Sequence, residues 1–392
     1  MKVALSTIGK FHSFDLAREL HARGALKIIL TGYPRFKLRD ESLPQELIRT
    51  FPFIHGAYMA FPWRHKIGHY WNEQWEYLDA WSFGVYAARN LPECDVYVGL
   101  SGSALRAGKK AKSRGAAYVC DRGSSHIRVQ EQILREEHER WGLPFAGFDP
   151  RITNAEESEY AEADCITLPS QFTYRSFLSQ GFTPEKLRLL NYGVDLSRFE
   201  PAGVPAEGKF DVLFVGGMNL RKGVQYLAEA FQRIDHPAKT LSFVGAPSFE
   251  LIALLRQRKL WPEDARVLGH VPQSQLKTVM SRSHVMVLPS VEEGLALVQA
   301  QAMACACPVI GTPNSGAEDL YSDGREGYIV PIRDADALAE RLQHLADHPE
   351  QRAEMGEKAL AKVQSFGGWQ SYGDKAMSIY GALAGAGSNL RA

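Results

Sequence analysis

The stretch 211-DVLFVGGMNLRKGVQYLAEAF-231 decides the fold. Its apolar run reads as a buried strand, Gly216-Gly217 as the turn that ends it, and Val224 onward as a helix. A strand passing through a glycine turn into a helix is the unit of a parallel, doubly wound sheet. The helix start leaves unpaired N–H groups and a positive dipole end, and Arg221-Lys222-Gly223 sits beside it. That chemistry suits a phosphate; the competing reading is a glycine turn with two solvated cations. The spacing matches neither G-x-G-x-x-G nor G-x-x-x-x-G-K-[ST].

The same alternation runs outward in both directions. Upstream, "KVALST", "LKIILTGY", "CDVYVGLS", "AAYVCDRG", "CITLPS" and "LRLLNYG" read as strands. The helices "FDLARELHARG", "ALRAGKKAKSRG" and a long charged one from Ser125 to Trp141 lie between them. Downstream come the strands "KTLSFVG", "ARVLGH", "HVMVLPS", "CPVIGT" and "GYIVP", with a helix at Leu297–Cys305. The chain has 392 residues, too many for one ordinary domain, and "PAGVPAEGK" (Pro201–Lys209) is a soft joint. We therefore expect an α/β protein of two doubly wound parallel-sheet domains, residues 1–200 and 201–370. A C-terminal helix over 371–388, with Tyr372, Ala376, Tyr380 and Leu383 at helical spacing, is expected to pack back on the first domain. Ligands of such sheets bind outside the carboxyl ends of the strands, which places the site in the cleft between the domains.

Composition narrows the function classes. Forty-five basic and 45 acidic residues cancel, which argues against a nucleic-acid binder with a broad basic face. The five cysteines form no C-x-x-C pair and read as reduced thiols. "MKVALST" reads as a strand rather than a leader, and no window approaches the roughly 20 apolar residues of a spanning helix. The expectation is a protein of the cytoplasm or of the inner membrane surface that faces it.

The second chemical stretch is "SVEEGLALVQAQAMACACPVI" (Ser290–Ile310). Glu292-Glu293-Gly294 follows a strand and precedes a helix aimed at the same cleft. Helix stability explains one acidic residue there better than two. A carboxylate facing the cleft would instead read sugar hydroxyls through its acceptor oxygens.

These segments, with "NYGVDLSRFEP" (Asn191–Pro201), resemble the retaining glycosyltransferases of family 4, which have the GT-B architecture of two facing Rossmann-like domains. The resemblance covers the chain and is strongest from Tyr160 to Leu338. It implies transfer of a sugar from a UDP- or GDP-sugar to a hydroxyl of a glycan, glycolipid or other glycoconjugate, as in polysaccharide biosynthesis. It implies retention of anomeric configuration, no metal and no resident cofactor, the nucleoside-diphosphate sugar being a co-substrate. Glu293 matches the first glutamate of the family's Glu-x7-Glu motif and Lys222 its diphosphate lysine; with His126 they are the expected catalytic residues. Gly216, Gly217, Arg221, Gly294, Leu295 and Ala296 would join Lys222 and Glu293 around the diphosphate and sugar. Gly245, Ala246, His270, Val271, Leu297 and Gln301 would hold the nucleoside. The chain departs from the pattern in five places: Gln301 replaces the second glutamate, Leu295-Ala296 an aromatic-glycine pair, Gly217 an arginine, Ala246-Pro247 the more permissive end of a V-G-x-G loop, and the loop Thr7–Ser13 lacks a glycine pair.

On the acceptor side the expected residues are Gly9, Lys10, Arg122, Ser124 and Ser125, with His126 as either a donor-sugar contact or a helix cap. Asp334 of "DADAL" reads as a helix cap rather than a metal ligand. The aromatic stretch Phe61–Tyr86 reads as the core of an extra helical hairpin; its rival is an acceptor platform or a peripheral membrane contact. Two rival functions remain: a weakly active or non-catalytic partner subunit, and a nucleotide-sugar epimerase.

Overall fold

The computed structural model describes residues 1–61 and 68–389. The first sheet contains β1 (Val3–Thr7), β2 (Leu26–Thr31), β3 (Ile48–Thr50), β4 (Val96–Leu100), β5 (Ala117–Asp121), β6 (Cys165–Leu168) and β7 (Leu187–Leu189). Its strand order is β3-β2-β1-β4-β5-β6-β7, and every pairing is parallel. The second sheet contains β8 (Phe210–Val215), β9 (Lys239–Val244), β10 (Arg266–Gly269), β11 (Val285–Leu288), β12 (Val309–Gly311) and β13 (Gly327–Ile329). Its order is β10-β9-β8-β11-β12-β13, again all parallel.

Burial explains why these segments are strands. β1, β6 and β11 are buried at every position, as strands covered by helices on both faces must be. Each domain accordingly has two cores, one per face. In the first domain Leu5, Phe14, Leu20 and Ile29 fill one side, and Phe83, Tyr97, Tyr118 and Tyr160 the other. In the second, Phe214, Leu227 and Trp261 oppose a cluster of Leu213, Met286, Met303 and Val363.

In each sheet the strand order reverses between the first strand and its central neighbour, β1/β4 and β8/β11. The helix Gly368–Asn389 returns from the second domain and buries Tyr372, Ala376 and Tyr380 in the first domain's core. Its start is fixed by Arg23, whose guanidinium meets Asp374 at 2.6 Å and the Gln370 carbonyl at 2.9 Å.

The helix Ile127–Trp141 carries the first domain into the second. Its fully buried Glu137 accepts from Gln225 at 2.8 Å, Tyr226 at 2.7 Å and Arg333 at 2.8 Å, and Trp141 joins the second domain's core. Among the described residues no helix is long and apolar enough to cross a membrane. All five cysteines are free thiols, four of them buried.

Candidate active site

The loops that follow β8 and β11 meet beside the second sheet's switch point. After β8, Asn219 caps a short turn by accepting the Lys222 N–H at 3.0 Å. After β11, the Val291 N–H donates to the Arg221 carbonyl at 2.9 Å, which locks the two loops in register. That register sets Arg221-Lys222 against Glu292-Glu293. The Lys222 ammonium pairs with the Glu293 carboxylate, and the Arg221 guanidinium lies 3.1 Å from Glu292 and 3.7 Å from Glu293. Two cations therefore balance two carboxylates.

The two glutamates face different ways. Glu293 keeps 16% of its side-chain exposure and borders the cleft, whereas Glu292 keeps none. The partners of Glu292 come mostly from the other domain: Ser125 Oγ at 2.8 Å, Ser125 N–H at 3.3 Å and the Gln130 amide at 3.1 Å. Gly294 completes the seam. Its carbonyl accepts from Ser170 Oγ at 2.8 Å, and a Cβ at this position would drive into the Gly123 carbonyl oxygen. Only glycine allows so close a contact between the domains. Gly245 brings the loop after β9 against the glycine turn in the same way, because its Cβ would overlap the Gly216 carbonyl.

Between the domains lies a cavity of about 850 Å³. Arg221, Glu293, Leu295, Leu297 and Gln301 line it from one side, and Lys10, His12, Arg122, Ser124 and Tyr192 from the other. Of the residues singled out in the sequence, Lys10, Arg122, Ser124, Arg221, Glu293, Leu295, Leu297 and Gln301 thus share one lining. Gly216, Gly217, Lys222, Gly294 and Ala296 stand in the loops directly behind this wall. His270 is exposed beyond β10, the edge strand, and Ala246 is exposed after β9; with Gly245 and Val271 they lie outside the cavity lining.

Three expected contacts differ. His126 sits 3% exposed at the start of the helix Ile127–Trp141, where its Nδ1 accepts the Arg128 N–H at 3.2 Å. Its ring packs against Tyr160 and Phe177, with centroids 5.1 and 5.0 Å away. Burial, helped by the Arg122 charge, pushes its pKa down to about 4, so the imidazole is a neutral cap in an aromatic core. Of the two readings of His126, the cap is the one the geometry adopts. Ser125 is fully buried and spends its hydroxyl on Glu292, and Gly9 is buried rather than lining the cleft. Arg122 does reach the cavity, but its guanidinium is held by Glu156 at 2.6 Å and by Gln130 at 2.9 Å.

The residue that sequence reasoning passed over is His12. It lies in the loop after β1, lines the cavity, meets Asp121 at 2.6 Å and packs against the Tyr192 ring with centroids 4.2 Å apart. Asp121 is steadied by Thr167 Oγ1 at 2.9 Å. Nearby, Lys10 and Arg18 both pair with the buried Glu41.

The aromatic stretch also differs from a packed core. The helices Phe53–Ala60 and His69–Asn90 pack on each other, and Phe83 and Ala87 are buried. Yet Tyr70, Trp71 and Trp81 are 62, 65 and 42% exposed. Arg64, His65 and Lys66 lie outside the described residues. Asp334 caps the helix Ala335–Asp347, accepting the Ala337 N–H at 2.8 Å. Among the described residues no group of three or more His, Cys, Asp or Glu side chains gathers as a metal would require.

Comparison with known proteins bears on this architecture. Residues 198–362 match the family model "Glycosyl transferases group 1". A D-inositol 3-phosphate glycosyltransferase of Arthrobacter sp. is 36% identical over 197 residues, 45% of this chain and 46% of the relative. The matched stretch thus spans about half of that relative's length. Among solved structures, sucrose-phosphate synthase from Thermosynechococcus elongatus superposes with a TM-score of 0.75 at 21% identity, covering 98% of this chain and 100% of the other. Anabaena HepE, solved with UDP and glucose, gives 0.71 at 16% identity, covering 97 and 100%. The fold is GT-B.

Proposed function

We propose that this chain, whose residues 198–362 match the family model "Glycosyl transferases group 1", transfers a sugar from a nucleoside-diphosphate sugar to a hydroxyl acceptor. One observation carries the reading: Arg221 and Glu293 line the interdomain cavity, and Lys222 pairs with Glu293 just behind them. A leaving nucleoside diphosphate develops negative charge as the glycosidic bond breaks, and cations fixed at that point stabilise it. Lys222 and Arg221 supply that charge from the protein, so the mechanism we propose uses no metal and no resident cofactor. Glu293 then accepts hydrogen bonds from hydroxyls of the donor sugar, a role open to a carboxylate released from Lys222 by the diphosphate. The acceptor enters from the side of Lys10, His12 and Ser124. Leu297 and Gln301 face the nucleoside.

Transfer proceeds with retention, an inference from the family resemblance. Glu293 is assigned to the hydroxyls of the donor sugar rather than to nucleophilic attack, and we infer front-face attack assisted by a donor phosphate oxygen in place of double displacement. The interdomain seam at Gly294 excludes water from the reacting carbon. Candidate acceptors are glycans and lipid-linked glycans. For the latter, the exposed aromatic face around Trp71 and Trp81 is the surface we assign to the membrane interface.

The test is transfer by the purified protein from UDP- and GDP-sugars to a panel of glycan and glycolipid acceptors, with the anomer of the product read by NMR. Full activity in both Lys222→Ala and Glu293→Ala would overturn the site assignment. A second reading, a non-catalytic partner subunit, is favoured by Gln301 in the cavity wall, where a glutamate would hold ribose hydroxyls more strongly. It would be adopted if nucleotide binds and no donor is ever consumed.

A further inference from the structure

Glu292 is a fully buried carboxylate that the proposed chemistry does not use. A buried charge is tolerated only with good partners, and this one has them in both domains. Ser125 and Gln130 of the first domain provide three hydrogen bonds, and Arg221 of the second provides the fourth at 3.1 Å. The Gln130 amide is itself oriented, because its oxygen accepts from Arg122 at 2.9 Å and Arg122 is paired with Glu156. An unbroken polar chain therefore crosses the domain junction: Glu156, Arg122, Gln130, Glu292, Arg221.

We propose that Glu292 is a positioning residue through which the first domain sets the strength of the diphosphate site in the second. The inference rests on the reading of Arg221 as a diphosphate cation. A carboxylate satisfied only by Arg221 would hold that guanidinium tightly and compete with any incoming phosphate. Each hydrogen bond from Ser125 or Gln130 takes up part of the carboxylate's demand. Arg221 is then aimed and anchored by Glu292, yet retains donors for the ligand. Domain register and anion affinity become one property, so the cations reach full strength only when the acceptor-bearing domain is seated. This accounts for two adjacent glutamates: one reads the cleft and the other reads the opposite domain.

The test uses the full chain, with UDP, GDP and inorganic pyrophosphate as calorimetric probes and donor KM and kcat measured separately. Ser125→Ala should weaken probe binding and raise donor KM by about tenfold, the scale of one hydrogen bond to a charged group. Ser125→Thr, which keeps the hydroxyl, should recover most of that loss. Glu292→Gln should also weaken binding, and in its background Ser125→Ala should add less than twofold, because the path is already cut. Thermal melting reports any structural damage, and a merely structural role would lower melting without moving KM. Ser125→Ala and Glu292→Gln that leave affinity within twofold of wild type, or that act additively, would overturn the proposal while leaving the transferase reading intact. Coupled effects on pyrophosphate without any sugar transfer would uphold it and overturn the transferase reading. Failure of the wild type to bind any probe would overturn both.

Discussion

Glu293→Gln should move nucleotide binding and sugar transfer in opposite directions. In the free protein Glu293 neutralises Lys222 and approaches Arg221 at 3.7 Å, so the diphosphate must compete with a carboxylate for both cations. Two unit charges about 4 Å apart at an effective dielectric near 20 attract by about 4 kcal/mol. The pair borders an open cleft, and solvent screening reduces the competing part to about 1 kcal/mol. Glutamine keeps the shape and removes that competition, so UDP or GDP should bind roughly 3- to 10-fold more tightly. Transfer should fall, because a sugar hydroxyl that bonded to a carboxylate now meets a neutral amide oxygen. Losing a charge-assisted hydrogen bond costs about 1.5–3 kcal/mol, or roughly 10- to 150-fold in kcat/KM. Calorimetry with the nucleotide and initial rates with the sugar donor give the two numbers on one preparation. Nucleotide affinity and transfer falling together would refute the argument, since Glu293 would then be holding the cations in place rather than competing for them.

Other perturbations probe the seam, the departure from the family motif and the buried histidine. Gly294→Ala adds a Cβ where the Gly123 carbonyl lies, so the junction must spread; transfer should drop by at least about 50-fold, while overpacking costs only about 1–3 kcal/mol of stability by denaturant titration. Gln301→Glu returns a charge to the cavity wall and should tighten nucleotide binding by about tenfold, seen by calorimetry; unchanged or weaker binding would show that this side chain does not meet the ribose. His126 has its pKa pushed down to about 4 in the folded chain against an ordinary value near 6.5. The folded state therefore binds fewer protons than the unfolded one between those values, and stability present above pH 6.5 is lost as pH falls toward 4. His126→Asn, which can still cap the helix, should remove about 2 kcal/mol of that loss when urea titrations at pH 7.5 and pH 5 are compared; the same pH dependence in wild type and variant would refute the burial argument.

What the sequence disclosed and what it withheld follow from how each signal is encoded. Both sheets were legible because strands buried on two faces read as continuous apolar runs between glycine turns, as at Val212–Val215 and Val285–Leu288. The pairing of the two charged loops was legible because it is local: Arg221-Lys222 and Glu292-Glu293 are each adjacent in sequence, and the loops meet through one backbone bond from Val291 to Arg221. The helix Pro150–Glu162 escaped because its buried face is partly charged. Glu156 and Glu159 are 6 and 1% exposed, one paired with Arg122 and the other accepting N–H groups from Gly102 and Ala104. An apolar stripe is what periodicity detects, and here carboxylates occupy part of the stripe.

The histidines show the same limit from the other side. His126 stood in a polar loop at a strand terminus, where a cleft contact was a reasonable expectation, yet the Tyr160, Phe177 and Phe182 rings that enclose it come from two later segments of chain. His12 had no local mark at all; its place depends on Asp121, 109 residues away, and on the Tyr192 ring. Which histidine faces the cleft is thus decided by long-range packing, and so is the division between the two glutamates. Glu293 follows the chemistry of its own domain, and Glu292 follows Ser125 and Gln130 across the junction. A site split between two domains can be recognised from one of them, but its charge balance is set only where both are present.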